Sequence, residues 1–200
     1  MKEPFVDFMR KELGHETVLI ACGLPASYKT ETTEVIANLK GYKILRSDLI
    51  RREVLKGEDI FDEKVASSMN KRTLVYDEMF RMANELAAKD KGIILDATFV
   101  TQSLRRRAAE VAAQYGKTLV IQQTRCPKEA SLRRISNRTK ENYESNALTE
   151  KAYTNNVNKF EPVDLEDLKT LFPNLRIIHL VVDTSSDRTE EWFVIEKVAR

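Results

Sequence analysis

Lys29 and Thr30 close the stretch GLPASYKT, Gly23 to Thr30, directly after an apolar run. In the pattern Gly-x-x-x-x-Gly-Lys-Ser/Thr, backbone amides and a helix N-terminus cradle phosphates. The lysine reaches the β- and γ-phosphates and the hydroxyl binds Mg²⁺. Gly23, Lys29 and Thr30 stand at that spacing, but Tyr28 occupies the second glycine position. The candidate nucleotide loop is therefore Gly23, Leu24, Pro25, Ala26, Ser27, Tyr28, Lys29 and Thr30. The competing reading is an ordinary loop with a solvated lysine. Glycine serves where φ is positive or the backbone crowds a ligand. A bulky residue in such a conformation carries strain of about 1–3 kcal/mol, a roughly 10- to 100-fold loss of affinity if binding bears all of it.

Four further places carry groups suited to phosphoryl chemistry. In RSDLIRREV, Asp48 and Arg51 are three apart and share a helix face. The carboxylate could accept a proton from an attacking hydroxyl, and the guanidinium could hold a phosphate or orient the acceptor. A helix cap followed by a solvated basic turn is the alternative. Asp96 ends the apolar run GIILDAT, where a carboxylate sits near a metal or acceptor, or else caps a helix. Arg133, Arg134, Arg138 and Lys140 lie on a helix and the polar segment beyond it. They could close over a phosphate as a mobile lid, or form a solvated basic face. The stretch DTSSD, Asp183 to Asp187, reads as a turn with a cap at Ser186 or Asp187, or as the border of a base pocket.

The elements that must position these groups follow from periodicity. Five apolar runs read as strands: Thr17–Gly23, Tyr42–Ser47, Gly92–Thr98, Thr118–Thr124 and Arg176–Asp183. They are nearly continuous rather than alternating, as in a parallel sheet covered on both faces. Helical spacing fills Thr30–Lys40, Lys64–Lys89, Thr101–Tyr115, Pro127–Arg138, Leu148–Phe160 and Asp187–Ala199. Such alternation is α/β with right-handed crossovers, and its chemistry lies beyond the C-terminal ends of the strands. Lysine–threonine, Asp-x-x-Arg, aspartate and arginines fall at four of those ends in turn.

The chain has 200 residues, 42% hydrophobic and 32% charged, with a net charge of +2. That size suits one domain with a real core; the charge argues against a long nucleic-acid track and gives no support to membrane binding. No apolar stretch approaches the roughly 20 residues of a membrane helix, and the acids inside the apolar part of the N-terminus make it a poor signal peptide. The expected location is the cytoplasm. Two cysteines, Cys22 and Cys126, and two histidines, His15 and His179, are too few and too scattered for structural zinc. Cys22, Cys126, His179, Trp192 and Phe193 read as core residues.

From about Val18 to Asp183 the chain resembles the small P-loop kinases of the AAA-type ATP-binding, zeta-toxin-like group, relatives of polynucleotide 5′-kinase, gluconate kinase and chloramphenicol phosphotransferase. That group reads G-x-P-G-S-G-K-S, S-D-x-x-R, V-x-L-D-A-T, C-P-x-E-x-x-x-x-R-[LI]-x-x-R and F-E-P. This chain has GLPASYKT, SDLIR, IILDAT, CPKEASLRRISNR and FEP, in that order. Ala26 and Tyr28 replace two glycines usual in the loop.

The resemblance implies a single three-layer P-loop kinase domain over residues 1–200. Its five-stranded parallel sheet would run 2-3-1-4-5, with helices on both faces and a lid at about 138–150. It implies ATP, or GTP, with Mg²⁺. Lys29 would be the phosphate lysine and Thr30 the metal hydroxyl. Asp48 would be the base, with Arg51 beside it at the acceptor, and Asp96 the acid near the metal or acceptor. Arg134 would neutralise the transferring phosphoryl group, with Arg138 next in line. The implied function is transfer of the γ-phosphate to a hydroxyl of a small molecule or nucleic-acid end. The alternative is a nucleotide-binding or partner-binding module without catalysis on the same fold. Nothing in the sequence selects an oligomeric state.

Overall fold

The computed structural model describes residues 1–60, 62, 64, 65, 68–138 and 149–200. In chain order the strands are β1 (Glu3–Pro4), β2 (Thr17–Cys22), β3 (Lys43–Arg46), β4 (Gly92–Asp96), β5 (Thr118–Arg125), β6 (Ile177–Asp183) and β7 (Phe193–Ala199). The helices are α1 (Phe5–Glu12), α2 (Lys29–Lys40), α3 (Ser47–Val54), α4 (Met69–Ala87), α5 (Gln102–Gln114), α6 (Lys128–Ser136), α7 (Glu150–Lys159) and α8 (Leu165–Leu171). A short 3₁₀ turn covers Thr189–Glu191.

The strands form one sheet ordered β1-β7-β6-β5-β2-β4-β3. Neighbours from β6 to β3 pair in parallel. β2 and β4 are buried at every residue, which is why their sequences are continuously apolar rather than alternating. Their side chains divide between two layers. Val18, Ile20 and Cys22 meet Met79 and Phe80 of α4 and Ala108 and Ala112 of α5. Leu19 and Ile94 meet Phe8 and Met9 of α1 and Ile36 of α2. This sandwich fixes the C-terminal ends of β2, β3, β4 and β5 side by side.

The expected order of the five central strands is the one found, but the sheet is a seven-stranded mixed sheet, not a five-stranded parallel one. β7 runs antiparallel to β6, and β1 runs antiparallel to β7. The segment expected as a helix over Asp187–Ala199 is thus the 3₁₀ turn and β7. Its residues Val194, Ile195 and Val198 are β-branched, and a free edge of β6 was available to pair. Trp192 is buried ahead of that strand, while Phe193 is only half-buried. Cys22 is buried and Cys126 partly so. His179 is partly exposed and bonds Gln123 Oε1 through Nε2 at 3.0 Å. No described helix is long and apolar enough to cross a membrane.

Candidate active site

The loop from Gly23 to Tyr28 joins β2 to α2, and its backbone takes the shape that glycines usually provide. Gly23 has φ of +142°, and a Cβ there would lie 2.6 Å from Thr124 Oγ1. Ala26 and Tyr28 adopt φ of +59° and +57°. Alternation of right- and left-handed residues turns successive amides into one concavity, the anion nest of phosphate loops. The two departures from glycine therefore fall on residues that keep the left-handed backbone and its strain.

What holds that conformation is a set of contacts on the outside of the loop. The Tyr28 ring lies under the Arg134 guanidinium at 3.9 Å and against Trp192 at 5.4 Å. The Tyr28 hydroxyl donates to Asp187 Oδ1 at 3.0 Å. Burial, reinforced by Asp187, pushes this phenol's pKa up and keeps it a neutral donor. Arg134 also donates through Nε to Asp187 Oδ1 at 2.9 Å and through Nη1 to Ala26 O at 3.1 Å. Its Nη2 is shared among Thr184 O, Ser185 O and Ser186 O at 2.9, 3.1 and 3.4 Å. Hydrogen bonds from Arg134 and Tyr28 hold the Asp187 carboxyl below its usual range. Thr184 Oγ1 donates to Ser27 O at 3.0 Å, and Ser27 Oγ meets Thr124 Oγ1 at 2.6 Å. A cation on an aromatic face contributes about 0.5–2 kcal/mol, comparable to the strain of one left-handed residue.

Inside the loop, Lys29 Nζ donates to Leu24 O at 2.7 Å. Burial lowers its pKa, opposed by the nearby Asp96 charge, and the positive charge of Arg138 adds to the lowering. Thr30 Oγ1 donates to Asp96 Oδ2 at 2.7 Å. Thr30 lies in the first turn of α2 and Asp96 ends β4, so the β2–β4 pairing brings them together. Asp96 is buried, and burial pushes its carboxyl up to about 6, against the Thr30 hydroxyl and Lys29. Arg46 Nε lies 4.0 Å from the same carboxylate. On α3, Arg51 Nη1 donates to Asp48 Oδ1 at 3.3 Å, the shared helix face expected from their spacing. Asp48 also raises the Asp96 pKa through its like charge, which puts the two carboxylates in one electrostatic neighbourhood.

The structure thus brings Lys29, Thr30, Asp96, Asp48 and Arg51 to one side of the loop and Arg134 to the other. Arg133 is exposed and pairs with Asp187 Oδ2 at 3.2 Å. Arg138 is described and lies within electrostatic reach of Lys29. Lys140 and most of the expected lid, residues 139–148, lie outside the described residues. A cavity of about 290 Å³ opens beside the loop, between Gly23, Leu24 and Ser27, the end of β5, and Val157 and Phe160.

Sequence reasoning missed Arg105, the first of three consecutive arginines. It is fully buried in α5 without a carboxylate. It donates to Phe99 O at 3.1 Å, Glu161 O at 2.7 Å and Pro162 O at 2.9 Å. These bonds staple the FEP segment that follows α7 to the loop after Asp96. Asp187 and Trp192 were likewise missed as loop supports, because their contacts with Tyr28 cross more than 150 residues of sequence and leave no local signal.

A model of the AAA domain family matches residues 18–163. The chain belongs to the AAA domain family. Its fold is the α/β fold of P-loop kinases. A gluconokinase from Sinorhizobium meliloti 1021 superposes with a TM-score of 0.60 at 15% identity, over 87% of this chain and 86% of that one. A sugar kinase from Janibacter sp. HTCC2649 gives 0.59 at 13%, over 86% of each chain. The AvrRxo1-ORF1:-ORF2 complex with ATP gives 0.62 at 15%, over 98% of this chain and 62% of the other. No curated protein matches the sequence. For an AAA domain of this fold, the strand ends that carry Lys29, Thr30, Asp96 and Asp48 are the expected place for nucleotide chemistry.

Among the described residues no group of three or more His, Cys, Asp or Glu could hold a metal ion. Thr30 and Asp96 nonetheless fit Mg²⁺, which takes one or two hard oxygen donors from protein and completes its shell with phosphate and water.

Proposed function

We propose that this AAA domain protein is an ATP-dependent phosphotransferase acting on an alcohol. The observation that carries the reading is the meeting of Thr30 and Asp96 at 2.7 Å beside Lys29, at the mouth of a left-handed phosphate loop. Loop amides and Lys29 would bind the β- and γ-phosphates. Release of Lys29 from Leu24 O would supply its charge to them. Thr30 and Asp96 would hold Mg²⁺, which neutralises phosphate charge when bound. Asp48 would accept the proton of the attacking hydroxyl, with Arg51 keeping its carboxylate in place. GTP in place of ATP is tested by the same titrations.

We give Arg134 a different part from the one its motif position implies. Its donors are satisfied by protein, so we assign it to holding the loop and assign Arg138 to the phosphoryl group.

The test is a melt with ATP·Mg²⁺ followed by a γ-phosphate transfer assay over a panel of alcohols. A rise in Tm that is absent in Lys29→Ala supports the site. No rise at millimolar ATP overturns it. The engagement of Arg134 away from the phosphates favours a second reading, a nucleotide-binding module without turnover. Tight nucleotide binding with no transfer to any acceptor would select that reading.

A further inference from the structure

The cavity beside the nucleotide loop has no part in the proposed transfer. It lies between the start of the loop, the end of β5 and α7, with a volume of about 290 Å³. β5 and β4 are the two opposite neighbours of β2, so this flank of the loop is not the one that carries Asp96 and Asp48. An engineered apolar cavity of about 150 Å³ takes benzene, so this one has room for about a dozen non-hydrogen atoms.

Its lining is neutral. Leu24, Val157 and Phe160 supply apolar surface, and Gln123, Cys126 and Ser131 supply uncharged polar groups. Among the described residues no carboxylate lines it, and the one charged residue, Arg125, is exposed. Burying an unpaired charge is costly, so the occupant that fits is uncharged. Asn156 precedes Val157 on α7 and is 8% exposed. Its Nδ2 donates to Ala152 O at 2.8 Å, while its Oδ1 is buried without a partner among the described residues. A buried acceptor without a donor costs stability until something supplies one.

The links from the cavity wall to the phosphate lysine are short. Leu24 O accepts from Lys29 Nζ at 2.7 Å and from Ser27 Oγ at 2.7 Å. Ser27 also lines the cavity and ties the loop to β5 through Thr124 Oγ1 at 2.6 Å. Ala26 and Leu24 pack with Tyr153 of α7, the helix that supplies Val157 to the cavity. An occupant resting on Leu24 and Ser27 therefore restrains the arrangement in which Lys29 is held at Leu24 O and withheld from phosphate.

We infer that this cavity is an effector site: a small uncharged molecule, with an apolar body and a hydrogen-bonding edge, binds there and lowers the affinity of the loop for nucleotide. The inference rests on the reading above in taking Lys29 as the phosphate lysine of a nucleotide loop. Coupling of this kind is reciprocal, so nucleotide weakens the effector by the same factor.

Cys126 supplies the readout. It is partly exposed and lines the cavity, whereas Cys22 is fully buried. The full chain is alkylated with N-ethylmaleimide, an uncharged imide of fitting size, and the adduct is followed by mass; Cys126→Ser should stay unlabelled. Benzamide is the reversible probe and benzoate its charged counterpart. Millimolar benzamide should slow alkylation saturably, and benzoate at equal ionic strength should slow it far less. AMP-PNP·Mg²⁺ should bind at least about fivefold more weakly to the alkylated chain, and to wild type saturated with benzamide. No protection by benzamide, equal protection by benzoate, or a nucleotide affinity unchanged or raised by occupancy overturns the inference. The Tm of the alkylated chain verifies folding; if that chain does not fold, benzamide carries the comparison alone. Should AMP-PNP·Mg²⁺ fail to bind the unlabelled chain, the kinase reading fails and takes the effector role with it. Benzamide protection still reports the cavity as a site, which keeps the two failures distinct.

Discussion

The two flanks of the nucleotide loop use their arginines in opposite ways. On the outer flank, Arg134 gives hydrogen bonds to one carboxylate and four carbonyls and stacks on Tyr28; its side chain is 9% exposed. On the inner flank, Arg51 has one long bond to Asp48. An arginine whose donors are all met by protein fixes a conformation. One with a single long bond leaves its remaining donors to solvent. Motif position alone would give Arg134 the ligand.

The comparison can be broken most sharply on the inner flank. Asp48→Ala should reduce phosphoryl transfer by about 10²- to 10⁴-fold while leaving ATP affinity nearly unchanged, read by kcat and by titration. Full activity in that variant would remove Asp48 as the base. Lys29→Ala should cut transfer by about 10²- to 10³-fold and abolish the ATP-induced Tm rise. On the outer flank, Arg134→Ala should act on stability instead. Losing its bonds around a largely buried cation should cost about 2–4 kcal/mol, seen in urea unfolding. If Arg134→Ala were stable but inactive, Arg134 would belong with the phosphoryl group after all.

The next effect is pH-dependent. Asp96 has its carboxyl pushed up to about 6, from an ordinary value of 3.8, chiefly by burial. A raised carboxylate favours the protonated folded state. Its unfavourable contribution therefore grows as pH climbs from near 4 to near 6 and is constant above that. Mg²⁺-dependent ATP binding needs the charged form and should run the other way, strengthening as pH passes about 6. Titrations between about pH 5 and 8 check this; a flat profile in wild type would take Asp96 out of the metal site, and Asp96→Asn should be flat. The smallest effect is expected from Tyr28→Phe, which deletes one hydroxyl bond to Asp187 and keeps both ring contacts. It should cost about 0.5–1.5 kcal/mol. The chain's single tryptophan, Trp192, lies against the ring and reports the change by its emission.

The sequence alone carried the central architecture, because buried parallel strands need continuous apolar runs and leave them visible. Thr17–Cys22 and Gly92–Asp96 are such runs, and the groups at their ends could be read in order. It also carried the meeting of Asp48 and Arg51, since three-residue spacing on a helix is a local fact. β7 was lost for the opposite reason. A sequence such as FVIEKVA holds both helical and extended patterns, and the free edge of β6 decided between them. The buried state of Arg105 had no local mark either, since the carbonyls that satisfy it arrive from residues 161 and 162.

Tyr28 divides the two kinds of information within one residue. Its place before Lys29 fixed that the loop must bend at a bulky side chain, since φ is a property of the local chain and glycine is absent. Whether that bend is held depended on Arg134, Asp187 and Trp192, brought from the other half of the chain. Their stacking and hydrogen bonding arise only when β6 and α6 are packed against the loop, and short-range interactions decay too fast along the sequence to announce them.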